Sequence, residues 1–175
     1  MEINKLIDLN KLKFDKFYNH LLQEKLDKSL LAKAIKYSSI KGGKRIRAFL
    51  VSQASKIVGS SNINSMIIAS SIESIHSYSL IHDDLPSMDD DNYRRGKPST
   101  HKKFDEATAI LAGDSLHDFA FQLLSGNLKN IEPAKNLKLI NYLTICTGYD
   151  GLAGGQSLDL LYENKKFNKK KIIEM

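Results

Sequence analysis

The spacing of apolar residues constrains this fold more than any other feature of the sequence. Along almost every periodic segment, apolar side chains recur at intervals of three and four residues. Since this spacing places them on one face of a helix, it predicts an all-α protein. Glycine and proline, at 10 and 3 of 175 residues, are too scarce for a turn-dense all-β chain.

The periodic segments predict a series of helices in one domain covering residues 1–175. A first helix passes through residues 14–22, and others are predicted at about residues 30–37, 44–58, 64–85, 104–124, 134–146 and 154–161. The helix at 64–85 is apolar on several sides, so it should lie centrally. Pro86 prevents its regular continuation into a polar loop at 87–100. Residues 165–175 look like the opening of a further helix, so we expect the domain to be incomplete at this end.

The distribution of charge favours neither nucleic acid nor a membrane as the partner. The formal net charge is +6, with lysines gathered after residue 164 and an acidic stretch at 83–91. A basic helical nucleic-acid binder would show salt-sensitive binding, but it would give no reason for the acidic cluster. The N-terminus lacks the apolar core of a signal peptide, and no window approaches the ~18 uncharged apolar residues that span a bilayer.

The chain contains one cysteine, which excludes a disulfide framework and a cysteine-rich zinc module. This residue, Cys146, follows an apolar helical pattern and is predicted to be a buried, inert thiol. We therefore expect a soluble, cytoplasmic protein.

An acidic run directly follows the central helix. Its nine residues include five aspartates, namely Asp83, Asp84, Asp89, Asp90 and Asp91. Two carboxylates about 5 Å apart repel by roughly 3 kcal/mol at an effective dielectric constant of 20, so such a cluster inside a bundle needs cations. Mg²⁺ prefers oxygen ligands and keeps positions open for waters and phosphate oxygens. A solvated loop, or pairing with nearby Arg94, Arg95 and Lys97, would also account for the run.

The sequence contains two basic clusters, one before the central helix and one directly after the acidic run. In the first, Lys44 and Arg47 follow a glycine pair, and at the start of a predicted helix they should share a face. Helix N-termini favour anions, and an arginine fork with a lysine point charge could hold a diphosphate. The second cluster, Arg94-Arg95-Gly96-Lys97, follows the acids. Either cluster alone could be an ordinary solvated basic segment.

Other polar and small residues lie at positions in the sequence where they could contribute to a site. His76 precedes Asp83 by seven residues, about two turns along the same helix face, although a lone histidine is more often a packing residue. Gly113 and the Gly154-Gly155 pair place small residues where helices could approach closely. Gln156 adds a polar group beside that pair, and both segments could be structural.

Taken together, these motifs resemble the trans-isoprenyl diphosphate synthases, specifically the bacterial farnesyl diphosphate synthase group. The matching stretches are GGKRIR, HSYSLIHDDLPSMDDDNYRRGKPSTHKKFDEATAILAGDSL and GLAGGQSLDL, in the family's order and spacing over about residues 35–162. The resemblance implies an antiparallel helical bundle around a central cavity, with two aspartate-rich motifs facing each other across its mouth.

The resemblance also implies roles for individual residues. Asp83 and Asp89 would bind Mg²⁺, with Asp84 as a further member of the first aspartate-rich motif. Arg94 would contact the diphosphate of the allylic substrate, and Gln156 would line the cavity near the metals. Isopentenyl diphosphate would be held by Lys44, Arg47, His76 and Arg95.

The implied activity is Mg²⁺-dependent prenyl transfer, in which isopentenyl diphosphate condenses with dimethylallyl or geranyl diphosphate by ionisation, condensation and elimination. Tyr78, five residues before Asp83, matches an aromatic position that closes the floor of the product cavity, which predicts farnesyl rather than geranylgeranyl diphosphate. A core tyrosine without that role is equally compatible with the sequence. The family is usually dimeric, so a homodimer is expected of the full-length protein.

The second aspartate-rich motif of the family, its Lys-Thr pair and a further basic residue do not occur in these 175 residues. We therefore expect this chain alone to be inactive or nearly so, and prone to aggregation. A non-catalytic partner subunit, or a degraded remnant of a synthase, is the alternative from another class. A metal-dependent phosphohydrolase is the nearest enzymatic competitor.

Overall fold

A computed structural model of the protein describes residues 2–40, 42–126 and 128–163. This part of the chain is helical apart from one pair of two-residue strands, so the all-α prediction is confirmed. The chain divides into two compact units, Met1–Ile131 and Glu132–Met175. That it forms one domain stays a prediction, and the helix predicted to open at 165–175 lies outside the described residues.

The first unit contains long helices joined by short connections. Its elements are α1 (Ile3–Lys25), α2 (Leu30–Ser39), α3 (Ile46–Ile57), α4 (Asn62–Asp83), β1 (Tyr93–Arg94), β2 (Lys97–Pro98), α5 (Thr100–Lys103) and α6 (Glu106–Gly126). Most helix ends lie within a few residues of the predicted ones. Two predictions were wrong in detail: the segment at 87–100 contains a hairpin rather than only a loop, and the helix predicted to begin at Lys44 begins at Ile46.

Helix α4 lies at the centre of the first unit, as its apolar character predicted. More than half of its 22 residues are buried, and it packs against α1, α2, α3 and α6. The Ser61 hydroxyl caps it by accepting a hydrogen bond from the Asn64 N–H at 3.3 Å. Helix α6 runs antiparallel beside it, because the Asn64 side chain bonds Lys129 near one end while Ser71 bonds the Ala120 carbonyl further along.

The core of the first unit is closed by one face of α1. Phe14, Tyr18, Leu21 and Leu22 are all buried at helical spacing. The Phe14 and Tyr18 rings stack with centroids 5.4 Å apart, and each side chain of this size contributes about 1.5–3 kcal/mol on burial. The Tyr18 hydroxyl lies 2.7 Å from Ser74 on α4, and burial raises the pKa of Tyr18 to about 12.

The described part of the second unit contains α7 (Pro133–Thr147) and α8 (Leu152–Tyr162). Proline suits the first turn of α7, where an N–H would have no helical partner. Cys146 is exposed, so the prediction of a buried thiol was wrong. The reason is that α7 buries only Thr147, which leaves the apolar side of this helix open. Among the described residues, no helix has both the length and the apolar character to cross a membrane.

Candidate active site

A β-hairpin directly after the acidic run carries two consecutive arginines. Its strands pair Tyr93 with Pro98 and Arg94 with Lys97 in antiparallel register. The two residues between them, Arg95 and Gly96, have φ of 54° and 75°. Positive φ at both positions is typical of the type I′ turn, whose twist suits a hairpin. The turn was missed in the sequence because it lacks the Asn-Gly or Asp-Gly pair that usually marks it.

Arg94 contacts the acidic run. Its Nε donates a hydrogen bond to Asp84 Oδ1 at 2.7 Å, and its Nη2 donates to the same oxygen. Nη2 also lies 3.3 Å from Asp91 Oδ2 and 3.9 Å from Asp83 Oδ2. One guanidinium therefore offsets the repulsion among three carboxylates.

The contact between Arg94 and Asp84 is largely shielded from water on the aspartate side. The Asp84 side chain is 4% exposed, and burial raises its pKa against the opposing effect of Arg94. The hydrogen bond with Asp84 in turn raises the pKa of Arg94. Asp84 is thus placed to orient Arg94.

Asp83 and Asp89 are brought together by the backbone. The Asp89 N–H donates to the Asp83 carbonyl at 3.0 Å, while the Leu85 carbonyl accepts from Met88 and Asp90. Asp83 is half-buried and Asp89 is exposed. Within residues 2–40, 42–126 and 128–163, no group of three or more His, Cys, Asp or Glu side chains is placed to hold a metal. Mg²⁺ commonly binds through one or two carboxylates with waters and phosphate oxygens, so Asp83 and Asp89 are of the right ligand type, and their binding of Mg²⁺ stays a prediction.

Arg95 turns away from the acids and lies over the glycine pair that precedes α3. A Cβ atom at Gly42 would lie 2.5 Å from Arg95 Nη1, and one at Gly43 would lie 2.8 Å from it. Gly43 also has a φ of 59°. These glycines therefore give the guanidinium room to approach the backbone, a role that the sequence did not indicate. Arg95 Nη2 is 3.5 Å from His76 Nε2 on α4.

His76 lies among cations. Its burial and, to a smaller extent, the positive charges of Arg47, Arg95, Arg45 and Arg94 together lower its pKa to about 4. The imidazole is therefore neutral at neutral pH. Positive groups from α3 and the hairpin thus lie close enough to His76 on α4 to lower its pKa. The shared binding role that the resemblance implies for Arg47, His76 and Arg95 stays a prediction.

The predicted arrangement of Lys44 and Arg47 on one helix face was wrong. Arg45 has a φ of 55° and a ψ of 40°, so the chain is left-handed directly before α3. Lys44 therefore precedes the helix, while Arg47 lies in its first turn. Lys44 and Arg47 are both exposed.

Tyr78 lies between α4 and α6. Its ring packs edge-on against His82 and His117, with centroid distances of 4.9 and 5.1 Å. Gly113 allows this close approach, since a Cβ there would overlap the His82 ring. The role of Tyr78 as a cavity floor stays a prediction.

Sequence reasoning missed a buried ion pair beneath the basic cluster. Arg45 Nη1 lies 2.8 Å from Glu73 Oε2, and both side chains are at most 3% exposed. The available signal was Glu73 itself, because a carboxylate within a largely apolar central helix requires a cationic partner. Gln156 lies half-buried on α8 of the second unit, and its role stays a prediction.

Carboxylates suit a divalent metal and arginines suit phosphate oxygens, so their combination at this helix end is chemically compatible with the binding of polyphosphate groups. The polyprenyl synthetase family model matches residues 28–175, and the chain belongs to this family.

Several known proteins are similar to this chain. The farnesyl diphosphate synthase of Haemophilus influenzae is 50% identical over 138 residues, which are 79% of this chain and 46% of that protein. A solved geranyltransferase from Legionella pneumophila has a TM-score of 0.90 at 39% identity, over 97% of this chain and 61% of that one. An FPP/GFPP synthase from Zymomonas mobilis has a TM-score of 0.89 at 37% identity, over 97% and 63%. The chain spans about half the length of the curated relatives it matches.

Proposed function

We propose that the protein is a Mg²⁺-dependent prenyltransferase that condenses isopentenyl diphosphate with dimethylallyl or geranyl diphosphate to give farnesyl diphosphate. Membership of the polyprenyl synthetase family and the similarity to farnesyl diphosphate synthases support this reaction. We further propose that both units belong to one synthase domain and that the protein acts as a homodimer.

The observation that carries the proposal is that the two consecutive arginines of the hairpin contact different partners. Arg94 contacts the acidic run, while the next residue, Arg95, contacts the glycine pair and His76. The hairpin thus joins a carboxylate group suited to a metal with a cationic group suited to a second anion. A reaction between two diphosphates needs two such anion sites side by side.

Asp83 and Asp89 would hold Mg²⁺, whose charge would stabilise the diphosphate that leaves the allylic substrate. Arg94, oriented by Asp84, would bind the same diphosphate. The isopentenyl diphosphate would lie against Lys44, Arg47, His76 and Arg95. Neutral His76 would contribute a hydrogen bond rather than a charge.

In the reaction, the allylic carbon–oxygen bond breaks and the electron pair leaves with the diphosphate. The isopentenyl double bond then attacks the allylic cation, and loss of a proton restores a double bond in the product. Because charge separates in the first step, preorganised cations such as Arg94 would lower its barrier. Gln156 is proposed to line the cavity near the metals.

Tyr78 would limit product length. Its edge-on packing against His82 and His117 holds the ring in place between two helices, which suits a rigid floor. The related structure from Zymomonas mobilis is named an FPP/GFPP synthase, so product length is a property to be measured for each protein.

The decisive experiment incubates the protein, produced from its complete coding region, with Mg²⁺, isopentenyl diphosphate and each allylic starter. Sizing of the products should show farnesyl diphosphate, and omission of Mg²⁺ should abolish it. Asp89→Asn should lower turnover strongly, whereas Asp27→Asn, an exposed aspartate between α1 and α2, should not. Release of inorganic phosphate without chain growth would favour a phosphohydrolase instead. The 175 residues by themselves are predicted to show little or no turnover.

A further inference from the structure

Arg45 lies in the middle of the first basic cluster, but unlike Lys44 and Arg47 it faces inward. Its side chain is 3% exposed, and its backbone adopts the left-handed conformation directly before α3. Residues other than glycine rarely adopt this conformation. No side-chain hydrogen bond caps α3 at this position. The contacts of the Arg45 side chain must therefore hold the turn.

The Arg45 guanidinium connects three other helices. Its Nε lies 2.8 Å from Asp15 Oδ1 on α1, and its Nη1 lies 2.8 Å from Glu73 Oε2 on α4. Its Nη2 donates to the Ser39 carbonyl at the end of α2, at 2.5 Å. All three nitrogens of the planar fork thus have partners, a geometry that lysine cannot reproduce.

Glu73 ties the same helix start to α4 by a second route. Its other oxygen, Oε1, accepts a hydrogen bond from the Ala48 N–H in the first turn of α3, at 3.3 Å. His76 lies three residues further along α4, one turn away on a similar face. Glu73 therefore holds the turn that carries Arg47 against the part of α4 that carries His76.

We infer that Arg45, together with Glu73, is a positioning pair that sets the geometry of the cluster formed by Arg47 and His76 without touching the substrate. This inference rests on the proposed binding of isopentenyl diphosphate at that cluster. Burial lowers the pKa of Arg45, but Glu73 and Asp15 more than offset this effect, so its pKa is raised. Arg45 and Glu73 carry single opposite charges, so the pair adds no net attraction for an anion.

Replacement of Glu73 by glutamine distinguishes positioning from simple electrostatics, because the two predict opposite changes in the affinity for isopentenyl diphosphate. Loss of a negative charge near an anion site should tighten diphosphate binding if charge alone mattered. Positioning predicts the opposite, because the weakened hold on Arg45 and on the Ala48 N–H would let the start of α3 shift. A residue that only stabilises the fold would leave the affinity of the folded protein unchanged.

The test uses the protein from its complete coding region and measures kcat, the KM for each substrate and the midpoint of thermal unfolding. For Glu73→Gln and Arg45→Lys we expect the KM for isopentenyl diphosphate to rise about tenfold, with the KM for the allylic substrate changed by less than about twofold. Should Arg45→Lys fail to fold, Glu73→Gln decides alone. Glu24→Gln, an exposed acid on α1, is the matched control for loss of charge and should leave both KM values as in the wild type.

Three results would overturn the inference. These are an unchanged or lower KM for isopentenyl diphosphate in Glu73→Gln, an equal rise in both KM values, or a lower unfolding midpoint without any change in KM. A wild-type protein that neither binds nor turns over isopentenyl diphosphate would instead refute the proposed function, so the two failures are distinguishable.

Discussion

Stability should fall as the pH drops below neutrality, and His76 should account for a measurable part of this fall. In the folded protein its pKa is about 4, below its ordinary value of 6.5, because of burial and the surrounding arginines. Above pH 6.5 the imidazole is neutral in both states and has no effect. Below that pH the unfolded chain binds a proton that the folded protein binds only near pH 4, so stability is lost through this window.

The size of the effect follows from the difference between the two pKa values. At 1.36 kcal/mol per pH unit, the difference corresponds to roughly 3 kcal/mol. Since His76 is half-buried, solvent screening reduces this contribution, and we expect about 1–2 kcal/mol. The carboxylates also titrate in this range, so the effect must be read from a difference between variants.

The assay is urea unfolding at several pH values between 7.5 and 4, about the range of the two pKa values. The wild type should lose about 1–2 kcal/mol more than His76→Gln over this window. His20→Gln, an exposed histidine on α1, is the control and should keep the wild-type profile. Titration of the His76 ring by NMR tests the cause directly. A midpoint above pH 6, or identical profiles for wild type and His76→Gln, would refute the reasoning.

Three further predictions concern packing, product length and the glycine pair. Phe14→Ala should lower the free energy of unfolding by about 3–5 kcal/mol because the ring is fully buried, while the exposed Leu12→Ala should cost less than about 0.5 kcal/mol; urea unfolding measures both. Tyr78→Ala should shift the products toward longer chains on chromatography, and an unchanged distribution would contradict the floor assignment. Gly43→Ala should weaken the binding of isopentenyl diphosphate in calorimetry because its Cβ would meet Arg95. Gly59→Ala has a similar positive φ and open space, so it should cost stability alone.

Helices were predictable from the sequence because their apolar periodicity reports burial directly. The central position of α4 followed from its apolar residues on several sides, and α6 followed from the same pattern. The ends of the helices were less predictable where contacts with residues distant in the sequence determine them. Helix α3 begins after Arg45, and the left-handed turn there depends on Asp15, Glu73 and Ser39, which a local pattern cannot reveal.

The motifs named the residues proposed for the candidate site, but they did not show how the charged side chains pair. The motifs identified Arg94 and Arg95 as a basic cluster beside the acids, which could have meant that both pair with carboxylates. The structure instead directs one to Asp84 and the other to His76 and the glycine pair. This difference arises from the turn conformation at Arg95 and Gly96, which depends on backbone φ and not on charge.

The register of the hairpin links these pairings to residues that carry no charge. The Tyr37 hydroxyl on α2 donates to the Pro98 carbonyl at 2.7 Å, and the Ser99 N–H donates to the Asn92 carbonyl at 3.0 Å. Because side chains alternate along a strand, a slip of one residue would reverse which arginine faces the acids. The two bonds that flank the short strands therefore do more than close a loop: they keep Arg94 with the carboxylates and Arg95 over the glycines, and so keep the two proposed anion sites distinct.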